Sequence, residues 1–96
     1  MSIRTKRVTV ANPGPTLIVA ADQRRTHLKI EVTGANAVHI GKSDVTPGTV
    51  AATDGYRRAQ NATFELGASD GDAVKEAHYG AAAVGASDVS VFEGID

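Results

Sequence analysis

Hydrophobic and polar positions alternate along much of the chain. From Thr26 to Thr33, Leu28, Ile30 and Val32 fall on one side of an extended backbone, and Lys29, Glu31 and Thr33 fall on the other. That period of two predicts a half-buried strand. Val8 and Val10 alternate in the same way with Arg7 and Thr9, until Asn12-Pro13-Gly14-Pro15 stops the run. Thr16 to Ala20 is a short apolar run closed by the polar stretch Asp22 to Arg25. After Gly34-Ala35-Asn36, Val38 and Ile40 resume the alternation with His39 opposite. The two central runs together predict a β-hairpin with a connection of roughly three or four residues.

Beyond Gly41 the pattern loosens. Thr49 to Ala52 predicts a short edge strand, Asp54-Gly55 a turn, and Ala62 to Leu66 a weak strand around Phe64. Ser69 to Asp72 predicts a polar turn. Asp72 to Ala83 has the alanines for a helical turn or two, but Tyr79-Gly80 and Gly85 oppose a long helix and favour a strand near Tyr79 to Val84. The last strand is Asp88 to Glu93, with Val89 and Val91 on one face and Phe92 on the other. About seven to eight short strands at roughly ten-residue spacing predict an all-β fold, a small antiparallel β-sandwich or barrel. No repeat or linker divides the chain, so residues 1–96 read as a single β domain, with 1–10 as an N-terminal arm or edge strand.

Composition agrees with that fold. Val and Ile outnumber Leu 16 to 3, and nine threonines add to the β-branched total, which fits pleated sheet better than helix. Of the 40 hydrophobic residues 16 are alanine and four are aromatic, a lean core for a domain whose size already limits burial. Part of the burial is therefore expected from a partner. The chain has no cysteine, which excludes disulfides and thiolate chemistry. Its longest apolar run, Leu17 to Ala21, is too short to span a membrane. Met1 to Arg7 has the charge of a signal-peptide start, but no apolar segment follows. Residues 1–48 hold seven basic and three acidic groups, and residues 49–96 hold three and eight. That split reads as interleaving on folding more than as a dipolar surface.

The chemistry-bearing motifs are weak. Gly41-Lys42-Ser43 lacks the upstream glycine and the following helix of a phosphate-binding loop, and reads as a strand-ending turn. His27, His39 and His78 are too far apart for a local zinc motif, although His27 and His39 would approach across the expected hairpin. Asp70-Gly71-Asp72 with Glu76 lacks the arrangement of an EF-hand and reads as an acidic surface turn. No serine stands in a nucleophile-elbow context. The expectation is a protein that is not an enzyme, with no metal, cofactor or small-molecule substrate. Basic residues remain: Arg4, Lys6 and Arg7, the pair Arg24-Arg25, and Arg57-Arg58 beside Tyr56. With a net charge of -1 and little aromatic interleaving, these eight residues are better suited to an acidic protein surface than to nucleic acid.

The stretch Leu28-Lys29-Ile30-Glu31-Val32-Thr33-Gly34-Ala35-Asn36-Ala37-Val38-His39-Ile40-Gly41, followed by Val45-Thr46, resembles a pattern of small virion proteins of tailed bacteriophages. Gly55-Tyr56, and Tyr79-Gly80-Ala81-Ala82-Ala83 leading through Gly85 to Val89-Ser90-Val91-Phe92-Glu93, extend the likeness over Thr26 to Glu93. Val32, His39 and the length of Gly67 to Ala77 depart from it. The resemblance implies a capsid decoration or cement protein on the outside of a phage head, assembled in the host cytoplasm. Its partners would be the major capsid protein and copies of itself, a trimer included, with neither nucleic acid nor membrane involved. A tail or baseplate module recognising a host surface is the alternative.

Overall fold

The computed structural model describes residues 2–48 and 50–96. It contains eight strands: β1 (Ser2–Val10), β2 (Thr16–Val19), β3 (Arg25–Val32), β4 (Val38–Gly41), β5 (Tyr56–Arg58), β6 (Thr63–Leu66), β7 (His78–Ala82) and β8 (Ser87–Ile95). They form two four-stranded sheets, in the orders β1-β8-β3-β6 and β2-β7-β4-β5. Every pairing within them is antiparallel. The chain crosses from sheet to sheet at nearly every connection, and only β4 and β5 follow one another in the same sheet. This is the connectivity of a jelly roll, two interlocked Greek keys closed face to face. The all-β sandwich expected from the alternation is the fold observed.

The two inner faces supply the core. Leu28, Ile30 and Val32 of β3 and Val89 and Val91 of β8 point inward from the first sheet, and Val38, Ile40 and Ala82 from the second. Ile18 and Val19 of β2 and Val10 of β1 complete the layer, all fully buried. The layers pack tightly against β7. A Cβ built on Gly80 would lie 2.8 Å from Ile18 Cδ1, 3.1 Å from Val38 Cγ1 and 3.2 Å from Val10 Cγ1. The small residues Gly80 and Ala82 on the inner side of β7 are therefore a packing requirement, since larger side chains there would separate the layers.

One expectation fails instructively. β3 and β4 are not a hairpin: β3 pairs with β8 and β6, and β4 with β7 and β5. Thr33 to Ala37 instead carries the chain from one sheet to the other. Both arrangements want the same turn residues and the same alternation, so local pattern cannot distinguish them. His27 and His39 accordingly lie in different sheets.

Smaller differences follow the same logic. Residues 50–52 are a turn rather than an edge strand, and Thr49 of that expected strand, like Met1, lies outside the described residues. Tyr56–Arg58, which the alternation does not mark, is a short strand. The Ser69–Asp72 turn belongs to a 3-10 segment, Ala68–Lys75, interrupted at Gly71 where φ is 62°. The Asp70 carboxylate accepts the Gly67 N–H at 2.7 Å at its start, and Val74 at its end is buried in the core.

Candidate binding face

The two outer faces of the sandwich differ. On the second sheet, His39 and Ala81 have outward parity, yet both are buried, at 2% and 0% exposure. Loops of the chain itself cover them. Gly14, with φ of 80°, approaches so closely that a Cβ on it would lie 3.1 Å from Ala81 Cβ. The Gly55 carbonyl stands 3.4 Å from His39 Nδ1. Asp54 pins that second loop by accepting hydrogen bonds from the Thr46 hydroxyl, the Gly48 N–H at 3.0 Å and the Ala51 N–H at 2.7 Å. These bonds, that from Thr46 foremost, hold its carboxyl below the usual aspartate range.

The outer face of the first sheet is left open. Strand register places its residues in rows. Thr5 of β1, Phe92 of β8, Lys29 of β3 and Glu65 of β6 form one row, and Arg7, Ser90, Glu31 and Thr63 the next. Ile3, Gly94 and His27 form a third row beyond Phe92. Phe92 is the half-buried centre, and the His27 ring meets it edge-on, with centroids 5.8 Å apart. His27 Nε2 lies 3.1 Å from a Glu65 carboxylate oxygen. Ile3 is 63% exposed at the margin. Phe92, His27, Lys29, Glu31, Glu65 and Arg7 line a shallow depression of about 600 Å³. An aromatic centre ringed by interspersed positive and negative groups suits a protein surface better than an enclosed small molecule.

The eight basic and aromatic residues expected to contact a partner are dispersed. Arg7 stands on the open face and Lys6 lines the depression's edge. Arg4 bonds Glu93 at 2.6 Å and Asp22 at 3.2 Å. Asp22 also accepts the Arg24 N–H at 2.9 Å, the main cause of its lowered pKa, while the Arg24 side chain remains 70% exposed. Arg25 is a correction, because its guanidinium is wholly buried. It donates from Nε to the Val74 carbonyl at 2.6 Å, from Nη1 to Ala20 at 2.9 Å and from Nη2 to Glu76. It therefore ties β2 and the 3-10 segment to β3 and offers nothing to a partner. Arg57 is exposed. Arg58 stacks over Tyr56 at 4.0 Å, and Tyr56 meets Phe64 at 6.2 Å, at the opposite margin of the molecule's interior.

Residues of the open face that sequence reasoning did not assign to partner contact are Phe92, Lys29, Glu31, His27 and Glu65. Alternation assigned Lys29, Glu31 and Phe92 to an outward side, but their grouping depends on β8 lying between β1 and β3, a non-local fact. Among the described residues, no three His, Asp or Glu side chains gather closely enough to hold a metal ion.

No family model matches the sequence, and no curated protein matches it. A solved structure does match: an HTH_3 family transcriptional regulator from Vibrio cholerae, with a TM-score of 0.65 at 7% identity. The alignment covers 98% of this chain and 43% of that chain, so the likeness is one of fold, to less than half of the regulator's length.

This corrects the resemblance to phage virion proteins. Neither the capsid-decoration role nor the tail alternative is retained, because the solved structure that shares the fold is a regulator. The segment that carried the resemblance, Leu28 to Gly41, is a crossover between sheets rather than the hairpin it was read as. Major capsid protein as partner and a virion location rested on that resemblance alone.

Proposed function

We propose that the chain is a non-enzymatic regulatory module that acts by docking through the open face of its first sheet. The observation that carries this is the asymmetry of the sandwich: its own loops cover the outer face at His39 and Ala81, while the face around Phe92 stays open. The shared fold with part of a transcriptional regulator supports a regulatory setting. A direct DNA-reading role is not part of the proposal. Helix-turn-helix recognition places a helix in the major groove, and the described residues contain no α-helix. A net charge of -1 with mixed charges on the open face also disfavours phosphate binding. The apolar interior, filled between the sheets, argues against a catalytic cleft.

In-cell photo-crosslinking tests this. A benzophenone amino acid at Thr5, on the open face, should yield one defined protein adduct, and the same probe at Gln60 should yield none. Equal labelling at both positions, or adducts to nucleic acid, would overturn the reading.

A further inference from the structure

We infer that the open face docks a second copy of this chain, in a face-to-face dimer whose two-fold axis runs parallel to β8. The inference rests on the module reading above and names its partner. Arg7, Lys29 and Glu31 make no ion pair within the chain among the described residues. Yet Arg7 and Glu31 share one row, on either side of Ser90. A two-fold axis along β8 keeps each row in place and exchanges β1 with β3. It sets Arg7 against the partner's Glu31 twice, once on each side of the axis. Phe92 then meets the partner's Phe92 on the axis, Lys29 meets the partner's Thr5, and Ile3 meets the partner's His27.

The other in-plane axis, perpendicular to the strands and passing through the Phe92 row, stacks Lys29 on the partner's Lys29 and Glu65 on the partner's Glu65. Like charges in contact disfavour it. Of these two axes the parallel one sets opposite free charges, Arg7 and Glu31, against each other, and isologous contacts of this kind are the commonest way for identical chains to associate. Packed sheets lie about 10 Å apart, a gap that facing Arg and Glu side chains span. The three strands that face their counterparts, β1, β8 and β3, about 4.8 Å apart and eight to nine residues long, present roughly 400 Å² per copy. That is below the standard size for a specific interface, so association in the micromolar range or weaker is expected.

Sedimentation equilibrium of the purified full chain, from about 1 μM to about 1 mM, tests the inference. The expected result is a monomer–dimer equilibrium. Arg7→Glu and Glu31→Arg should each weaken it at least about tenfold, and the double variant should restore it. Phe92→Asp should give a monomer. All of these side chains point outward, and circular dichroism melts establish that each variant folds; should Phe92→Asp fail to fold, the charge exchange still decides. A wild-type monomer throughout the range, a trimer, or a dimer indifferent to the charge exchange would overturn the inference. A monomer whose Thr5 probe still captures a different protein would overturn the dimer and leave the module reading standing.

Discussion

Arg25 Nη1 stands 3.5 Å from Glu93 Oε2, and neither side chain is more than 3% exposed. Glu93 takes its closer contact, 2.6 Å, from Arg4 at the sheet edge. The buried guanidinium spends its other donors on three backbone carbonyls at one end of the sandwich. Arg25→Met should therefore cost about 3–5 kcal/mol, because it leaves those carbonyls without their donors and takes from the buried Glu93 carboxylate one of its two cations. In a domain of this size that lowers Tm by more than about 12 °C. Arg25→Lys should not rescue it, since an ammonium cannot reproduce the planar fork. Arg24→Ala, one residue away and exposed, should stay within about 0.5 kcal/mol of wild type. Chemical denaturation of the three variants checks all of this.

Gly80 and Gly67 make opposite predictions for the same substitution. Gly80→Ala drives a methyl group into Ile18, Val38 and Val10 in the core, and should cost about 1–3 kcal/mol. Gly67 has no heavy atom within 4 Å of a built Cβ and an extended backbone, with φ of -124°. Gly67→Ala should be neutral or should stabilise by up to about 1 kcal/mol by restricting the unfolded chain. Paired thermal melts read both.

These contrasts show what was legible before the structure. The alternation of Leu28, Ile30 and Val32, and of Val89 and Val91, fixes which side of β3 and β8 is buried, because a strand's period is local. Which strand lies beside which is not local. The crossover at Gly34 therefore passed for a hairpin turn, and the row linking Arg7, Ser90 and Glu31 could not be assembled. Charge misled at Arg25, where the chain spends a basic residue on its own carbonyls, and at Tyr56–Arg58, where two arginines hide a strand of three residues. Arg7 is the residue expected to contact a partner that also stands on the open face.

His78 lies 8% exposed beneath Phe64, with its Nε2 3.0 Å from the Ala73 carbonyl. A carbonyl only accepts, so Nε2 carries the proton and donates. Burial pushes the imidazole pKa down, with nearby Arg25 acting in the same direction; the bond to Ala73 and the charge of Glu76 oppose it. The unfolded chain therefore binds a proton more readily than the folded one. Its contribution is fully present above the ordinary histidine value of about 6.5 and is lost as pH falls from there through the folded value. His78→Gln should flatten that part of the stability–pH profile, relative to wild type, while leaving the other histidines in place. Denaturant midpoints measured from pH 7.5 to pH 5 make the comparison; parallel profiles would count against it.

Asp54 should govern one loop rather than the whole fold. Its carboxylate gathers the Thr46 hydroxyl and the Gly48 and Ala51 N–H groups, and that loop carries Gly55 over His39. An amide side chain in its place has one acceptor oxygen instead of two and no charge to strengthen the bonds. Asp54→Asn should accelerate amide exchange at Gly48 and Ala51 at neutral pH and expose His39, with core amides such as Ile30 and Val91 unchanged. Because the folded carboxyl titrates below its ordinary value, the loop's support is intact above the ordinary aspartate pKa of about 3.9 and fails as pH falls below it. Wild type should consequently come to resemble the variant only in strong acid. Exchange that sped up equally in loop and core would show that the loop and the sandwich open together, and would remove Asp54 from a local role.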